Sequence, residues 1–162
     1  MIIRKATISD IPQILSIYNY EVLNSSSTFD TRPKSTEDFL KLFDMHSYKY
    51  PIYVVEDGTN SIIGYGYLSP FSDKEGYSIT VEDSIYIHHL HRGKGIGKML
   101  LKFLIQKARE KGFKNIIAKI CAENQPSLNL HKSLGFVEVG KLYSVGYKFN
   151  RYLDVIILQL NL

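Results

Sequence analysis

A glycine-rich turn that opens a long amphipathic helix is the feature that most restricts how this chain can fold. Residues 92–98 read RGKGIGK, and apolar residues then recur at helical spacing as far as Ala108. The pattern predicts a helix over residues 95–111, with a basic last turn and a stop at Gly112. Glycines let backbone N–H groups approach a ligand at the positive end of a helix, so we expect this turn to bind an anion such as a phosphate.

Two familiar phosphate-binding loops do not fit this turn. A dinucleotide-binding G-x-G-x-x-G loop requires a glycine where the chain has Lys98. A Walker loop requires four residues before its Gly-Lys pair and then Ser or Thr. Here three residues separate Gly93 from Gly97, and a methionine follows the lysine. The pattern that does fit is R-x-x-G-x-G, filled by Arg92, Gly95 and Gly97.

Around this helix the hydrophobic pattern predicts a mixed α+β domain, with a central sheet and flanking helices. Strands are predicted at residues 2–6, 52–56, 61–69, 78–87, 115–121, 136–143 and 152–160. Further helices are predicted from Asp10, after Ser35 and over residues 126–134. We expect the 95–111 helix to join two parallel strands. Because no linker or internal repeat divides the chain, we expect one domain over residues 1–162.

Composition limits the class of protein. The 162 residues are 44% hydrophobic and 22% charged, values typical of a globular domain and not of a disordered chain or a coiled coil. The longest apolar run, residues 155–158, is far shorter than the roughly 20 residues of a membrane helix. The start of the chain lacks the apolar core of a signal peptide. With Cys121 as its one cysteine, the chain is expected to be cytoplasmic, without membrane contacts.

The positive charge is concentrated in one segment. The net charge of +4 is too small to imply nucleic-acid binding by itself. Nine of the 20 basic residues, however, lie between His91 and Lys119, beside the glycine-rich turn. Their field suits a polyphosphate, and the alternatives are a nucleic-acid backbone or a solvated helix face.

The R-x-x-G-x-G turn resembles the pyrophosphate-binding motif of the Gcn5-related N-acetyltransferase (GNAT) family, which binds coenzyme A. Downstream, residues 124–136 read NQPSLNLHKSLGF, which is similar to the family signature N-x-x-S-x-x-L-[Y/H]-x-x-x-G-F. The order of the predicted elements also agrees, so the resemblance covers almost the whole chain. It implies a GNAT fold, acetyl-CoA as cofactor, a small-molecule amine as substrate and a homodimer.

Within the family, the chain most resembles the branch that acetylates phosphinothricin, methionine sulfoximine or sulfone, and related small amino acids. The stretches that carry this likeness are YSITVEDSIYI at residues 77–87, the Leu130-His131 pair, and GYKF at residues 146–149 with Asp154. Where branch members typically carry basic residues for a substrate carboxylate, the chain has an aspartate and two serines, at positions 30, 72 and 78. Arg32 and Lys74 are the candidates to replace them.

The resemblance also implies which residues bind the cofactor. The turn would bind the pyrophosphate through Arg92, Gly93, Lys94, Gly95, Ile96, Gly97 and Lys98. The backbone of Ile85, Tyr86 and Ile87 would hydrogen-bond the pantetheine arm and polarise the thioester carbonyl. Asn124 would bond the pantetheine amides. Ser133 would contact the same cofactor, or would instead cap a helix end.

Glu82 is the candidate general base. An amine is mostly protonated at neutral pH, so acetyl transfer requires a group that removes its proton. Within the 78–87 strand, Glu82 faces away from the apolar side chains; the alternative is an exposed strand carboxylate. Asp83 interrupts the apolar alternation, and we take this to indicate a β-bulge that separates neighbouring strands.

His131 is the candidate general acid for the coenzyme A thiolate, or else a polar wall of the substrate site or a structural histidine. The histidines at positions 88, 89 and 91 have no accompanying cysteine, and we expect no metal. Cys121 is expected to be a buried strand residue rather than a nucleophile. Tyr77 and Tyr147 are candidates to line the acceptor pocket, against ordinary sheet packing.

The sequence therefore predicts an acetyl-CoA-dependent N-acetyltransferase that acts on a small amino acid or an amino-acid-like antimetabolite. One alternative keeps the chemistry and changes the acceptor to a protein N-terminus, a polyamine or an aminoglycoside. A second is a coenzyme A-binding module without turnover. A third is a nucleic-acid binder that uses the basic helix, which we do not favour.

Overall fold

A computed structural model of the protein describes residues 1–46 and 48–162. Its strands are β1 (Ile2–Lys5), β2 (Tyr53–Glu56), β3 (Ile62–Pro70), β4 (Thr80–Ile87), β5 (Asn115–Cys121), β6 (Val137–Lys148) and β7 (Arg151–Asn161). Its helices are α1 (Ile11–Asn24), α2 (Thr36–Met45), α3 (Ile96–Glu110) and α4 (Gln125–Lys132). Short 3-10 turns lie at Ile8–Asp10, Glu75–Tyr77 and His89–His91.

The seven strands form one sheet in the order β1-β2-β3-β4-β5-β7-β6. Strands β4 and β5 pair in parallel, and the other neighbouring pairs are antiparallel. Helix α3 connects the two parallel strands, as the sequence predicts. The expected mixed α+β architecture is confirmed. Among the described residues, no helix has the length and apolar character needed to cross a membrane.

Helices cover both faces of the sheet because each presents one apolar stripe to it. Helices α1 and α2 pack on one face through side chains such as Ile14, Ile17 and Phe39. Helix α3 packs on the other face through Leu101 and Leu104, and α4 joins it there through Leu128. The face on which a strand side chain lies therefore decides which pair of helices it meets.

The β-bulge predicted at Asp83 is wrong. Strand β4 pairs with β3 in an unbroken register from Val81 to Ile87. The strands separate on the other side, because the pairing of β4 with β5 ends at Glu82 and Ile117. Asp83 lies on the apolar face because it has a partner there, His131 of α4. The polar residue on the apolar face of β4 therefore indicates a buried side-chain pair and not an irregular strand.

Strand β6 is longer than predicted and continues to Lys148. Two register shifts against β7 occur in this strand, between Glu138 and Gly140 and between Leu142 and Gly146. They interrupt the alternation of side chains between the two faces, so the alternating pattern in the sequence stops before the strand does. The hairpin closes through Phe149 and Asn150, both of which have positive φ. These angles are those of the two-residue turns that match strand twist.

Lys148 joins this hairpin to the end of α1. Its side chain is 3% exposed, and its Nζ donates to the carbonyl oxygens of Ser25 at 2.7 Å and Thr28 at 2.8 Å. The carbonyl of Glu21, in the last turn of α1, lies at 3.4 Å. The ammonium therefore satisfies carbonyls at a helix C-terminus and fixes the loop that follows it.

We expect Lys148→Met to lower the free energy of unfolding by about 2–3 kcal/mol, because it leaves buried carbonyls without a donor. Urea denaturation followed by circular dichroism measures this loss. Lys132→Met is the matched control, because Lys132 makes only a surface ion pair with Glu138 at 3.6 Å. That control should change stability by less than about 0.5 kcal/mol, and equal losses in the two variants would contradict the role given to Lys148.

Candidate active site

A cleft of about 430 Å³ opens where β4 and β5 separate. Its walls are the second half of β4, the glycine-rich turn, the first turn of α3, the end of β5 and α4. Beyond Glu82, the backbone of β4 on this side has no strand partner. Backbone groups of Ile85 and Ile87 therefore face a ligand-sized space, in which the carbonyl oxygen of Ile87 lies 3.3 Å from Nε of Arg92.

The turn enters α3 through two left-handed glycines. Gly93 has φ +74° and Gly95, the N-cap of α3, has φ +79°. A Cβ atom at either position meets no atom within 4 Å, so the left-handed backbone angle, and not a lack of space, favours glycine here. Gly97 is needed for another reason, because its Cβ would lie 3.2 Å from the Leu130 side chain. The first amide groups of α3 thus face the cleft without side chains in front of them.

Most of the residues predicted to bind the cofactor line this cleft. They are Ile85, Tyr86, Ile87, Arg92, Gly93, Gly95, Ile96, Gly97, Lys98 and Asn124. Lys94 lies outside it, with its Nζ 3.3 Å from the carbonyl oxygen of Leu90. Ser133 also lies outside, and its Oγ donates to the carbonyl of Leu130 at 2.7 Å. Of the two readings of Ser133, the geometry therefore matches the helix-end cap.

Arg92 faces the cleft but already has an acidic partner. Its Nη2 pairs with Glu21 of α1, whose side chain is 2% exposed, and its Nε lies 3.3 Å from the carbonyl oxygen of Ile87. The second oxygen of Glu21 accepts a hydrogen bond from Ser25 at 2.6 Å. The pair connects the end of α1 to the anion-binding turn. Glu21 was not predicted as a site residue, although it continues the buried stripe of Ile14 and Ile17 and is therefore a carboxylate on an apolar face.

Tyr86 contributes only its backbone to the cleft. Its ring is turned to the opposite face of the sheet, with centroid distances of 5.3 Å to Tyr18 and 5.1 Å to Tyr65. Asn124 is held as the N-cap of α4, because its Oδ1 accepts from the Ser127 amide at 3.2 Å. Its Nδ2 donates to Ser27 at 3.3 Å, so the loop after α1 reaches the cleft.

Glu82 lies on the face of β4 opposite to Asp83, at the point where the strands separate. Its side chain is 23% exposed and pairs with Nζ of Lys119 at 2.6 Å. Lys119 lines the cleft, whereas Glu82 does not. The pair therefore lies on the α1 face of the sheet, with Lys119 bordering the cleft. Lys119 was not predicted as a site residue.

His131 lies on the other side of β4, 2% exposed and bonded at both ring nitrogens. Its Nδ1 is 2.8 Å from the carbonyl oxygen of Ser127, and its Nε2 is 3.0 Å from Oδ2 of Asp83. Burial by itself lowers the pKa of His131, but the charge of Asp83 and its hydrogen bond outweigh this, so the pKa is raised above its usual value.

The residues predicted to bind the acceptor do not meet in one place within the chain. Lys74 and Tyr77 line a second cavity of about 270 Å³, formed around the 3-10 turn and the start of β4. Arg32 is exposed in the loop after α1. Tyr147 is exposed on β6 and packs on Tyr152 at a centroid distance of 5.1 Å. None of the four lines the main cleft.

The histidine cluster beside the turn packs as aromatic rings. His89 stacks on Tyr20 at a centroid distance of 3.9 Å and on His88 at 4.6 Å. Within residues 1–46 and 48–162, no three His, Cys, Asp or Glu side chains are grouped so as to hold a metal ion. Cys121 is buried at the end of β5 and is a free cysteine.

The cleft fits coenzyme A. The free amides at the start of α3 and the side chain of Lys98 suit a diphosphate. The unpaired backbone of β4 suits the amide groups of a pantetheine arm, which would run between β4 and β5. Residues of the glycine-rich turn and of β4 line the same cleft.

Comparisons with known proteins agree with this geometry. Residues 3–157 match the family described as an acetyltransferase (GNAT) domain. The chain is 38% identical over 161 residues to an L-methionine sulfoximine/L-methionine sulfone acetyltransferase of Pseudomonas aeruginosa, covering 99% of this chain and 94% of the other. It is 31% identical to the phosphinothricin N-acetyltransferase of Streptomyces viridochromogenes, over 94% of this chain and 83% of the other.

A solved structure shows the same fold. The phosphinothricin acetyltransferase of Sinorhizobium meliloti, crystallised in complex with acetyl-CoA, superposes with a TM-score of 0.96 at 36% identity. The match covers 99% of this chain and 88% of that one.

We expect Gly95→Ala to weaken coenzyme A binding by tenfold or more, about 1.4 kcal/mol, because a methyl group would stand before the free amides of α3. Isothermal titration calorimetry measures the affinity. Gly112→Ala is the matched control, since Gly112 ends the same helix with φ +79° and an equally open Cβ position. Both variants should lose about 1 kcal/mol of stability to backbone strain. Unchanged affinity in Gly95→Ala would contradict the anion site.

Proposed function

The chain belongs to the GNAT acetyltransferase family, and we propose that it transfers the acetyl group of acetyl-CoA to the amino group of a small amino acid or amino-acid-like antimetabolite. The acceptors that we have in mind are of the methionine sulfoximine, methionine sulfone and phosphinothricin types. The observation that carries this is the cleft between β4 and β5, with a bare helix N-terminus at one end and Glu82 and His131 on opposite sides of β4. The relatives named above supply the acceptor class.

Acetyl-CoA supplies an activated acyl group as a thioester, and the chain supplies its position and the proton transfers. The amides at the start of α3, with Lys98, would hold the diphosphate. The backbone of Ile85 and Ile87 would align the pantetheine arm along β4 and donate to the thioester carbonyl oxygen. The ion pair with Glu21 would hold Arg92 at the edge of the turn, so that its guanidinium adds positive charge without a freely moving side chain.

Glu82 would act as the general base toward the acceptor amine, directly or through water. The carboxylate lies on the α1 face, next to the cleft and partly open to solvent. From there it can accept the proton that the ammonium group of an amino acid must lose before attack. Lys119 holds the carboxylate in place through their 2.6 Å contact.

Arg32, Lys74, Tyr77 and Tyr147 remain our candidates for acceptor binding. Lys74 and Tyr77 share a cavity with the hydroxyls of Ser72 and Ser78 and with the carboxylates of Asp73 and Glu75. Within it, Lys74 is the group that would pair with a substrate carboxylate. The cavity also borders Thr80, the first residue of β4 and two residues from Glu82.

The alternative acceptors are peptides, polyamines and aminoglycosides. These are cations without a free α-carboxylate next to the amine, and an acidic pocket would suit them.

We also propose that the protein is a cytoplasmic homodimer formed by one domain per chain, without nucleic-acid or membrane partners. Strand β6 lies at the edge of the sheet and carries exposed apolar side chains, among them Val139, Tyr143 and Val145. An exposed edge strand of this length is open to pairing with another strand. A second copy of the chain would cover both the edge and its apolar side chains.

Release of free coenzyme A in the presence of amine acceptors tests the function. We expect turnover with methionine sulfoximine, methionine sulfone or phosphinothricin to exceed turnover with spermidine, kanamycin and a short peptide. The carboxamide of the best amino acid is the control for recognition of the carboxylate, and its KM should rise by tenfold or more, about 1.4 kcal/mol. Binding of acetyl-CoA without thiol release in any mixture would favour a module without turnover.

We expect Glu82→Gln to lower kcat by about 100-fold or more, because the acceptor amine loses its proton acceptor. Affinity for acetyl-CoA, measured by calorimetry, should stay within about twofold. Glu138→Gln is the matched control, since Glu138 is also a strand glutamate paired with a lysine, at 3.6 Å, but lies on the edge strand. A kcat for Glu82→Gln equal to that of the control would remove Glu82 from the mechanism.

A further inference from the structure

The contact between Asp83 and His131 is a buried pair in the wall of the cleft. Both side chains are 2% exposed, and Nε2 lies 3.0 Å from Oδ2. They come from different elements, β4 and α4, and are 48 residues apart in the chain. Both also line the cleft in which the cofactor would lie. The pair is therefore buried and also borders the cleft.

Stability does not account for this pair. Oδ1 of Asp83 is buried and has no hydrogen-bond partner in the part of the chain that the structure describes. An unsatisfied buried polar atom lowers the stability of the fold. Replacing a buried ion pair by apolar side chains is often neutral or stabilising. A carboxylate kept on the apolar face of β4 with one bare oxygen points to a role in the cleft.

The hydrogen bonds determine which protons the histidine ring carries. The carbonyl of Ser127 can only accept, so Nδ1 of His131 carries a hydrogen. The second proton of the pair lies between Nε2 and Oδ2. Phe136 packs edge-on against the ring at a centroid distance of 4.9 Å. The pair thus holds one transferable proton at a fixed position.

Among the titratable groups around His131, Asp83 is the one in direct contact. The other titratable side chains that line the cleft are Glu21 of α1, His91 and Arg92 of the turn, Lys98 of α3, and Lys119 and Cys121 of β5. Glu21 is paired with Arg92, and Lys119 is paired with Glu82 on the other face. Lys132, next to His131 on α4, pairs outward with Glu138 of β6. The proton on the ring is therefore governed chiefly by Asp83.

We propose that Asp83 is a positioning residue that keeps His131 doubly protonated, so that His131 supplies the proton taken up by the leaving thiolate of coenzyme A. This inference rests on the proposed acetyl transfer. As the amine nitrogen bonds to the carbonyl carbon, the C–S bond breaks and its electron pair goes to sulfur. The amine proton goes to Glu82. The Nε2 proton of His131 leaves its hydrogen bond with Oδ2 of Asp83 and goes to sulfur. Glu82 later returns its proton to solvent, and His131 regains one.

The test is the pH dependence of kcat in Asp83→Asn. The asparagine amide can donate to Nε2, which favours the neutral ring with its hydrogen on Nδ1. In the wild type, kcat falls as pH rises through the pKa of His131. Without the carboxylate this alkaline limb should move to lower pH by about 1–3 pH units, while affinity for acetyl-CoA stays unchanged. Asp154→Asn, a carboxylate that accepts from the Ser144 amide on the far hairpin, should leave the limb where it is.

A purely structural role for Asp83 predicts something else. If Asp83 had only a structural role, Asp83→Asn would lower kcat by the same factor at every pH. An alkaline limb that does not move in Asp83→Asn would therefore overturn the proposal.

A second measurement does not depend on the variant being folded or active. The His131 ring is titrated by NMR in the wild-type protein, with His131→Gln used to assign its signals. We expect the ring to titrate above the usual pKa of histidine, and a value below it would overturn the proposal. If no acceptor is acetylated, the proposed function and the acid step both fail. If the enzyme is active and the pKa of His131 is raised, but the alkaline limb of kcat does not move in Asp83→Asn, the role given to Asp83 is contradicted and the proposed function is not.

Discussion

The end of the pairing between β4 and β5 is the constraint on which the rest of the site depends. Up to Glu82 the two strands share a parallel ladder, and beyond it each has a neighbour on one side only. A sheet interior would normally satisfy its backbone groups within the protein. Here the missing ladder leaves a row of N–H and C=O groups at the wall of a cleft, and the turn before α3 brings an anion site to the same space.

The same point in β4 separates the two proton-transfer groups. Side chains on a strand alternate between faces, so the neighbours Glu82 and Asp83 point to opposite sides of the sheet. Glu82 meets Lys119 on the α1 side, and Asp83 meets His131 on the α4 side. The base proposed for the amine and the acid proposed for the thiolate thus lie on opposite faces of one strand.

Local patterns were enough to predict the strands, the helices and the position of the glycine-rich turn, because these depend on periodicity and on glycine at positions with positive φ. What they could not show were contacts between distant residues. Asp83 is an anomaly in the sequence pattern, but its partner lies 48 positions away, so the anomaly was misread as a bulge. Glu21 and Lys119 were not predicted as site residues for the same reason, because their partners Arg92 and Glu82 are distant in the sequence. The two register shifts in β6 also interrupt its alternation of apolar and polar residues, and the strand was therefore predicted too short.

Lys148 has a consequence for how such an enzyme can change over evolutionary time. The ammonium group anchors the loop after α1 through main-chain carbonyl oxygens, which every amino acid provides. This anchor therefore does not depend on which side chains the loop carries, whereas Asp30 makes side-chain contacts of its own with Tyr18 and Lys34. Arg32, which we propose as an acceptor-binding residue, could therefore be replaced without loss of the lysine anchor, and selectivity could drift while the scaffold is kept.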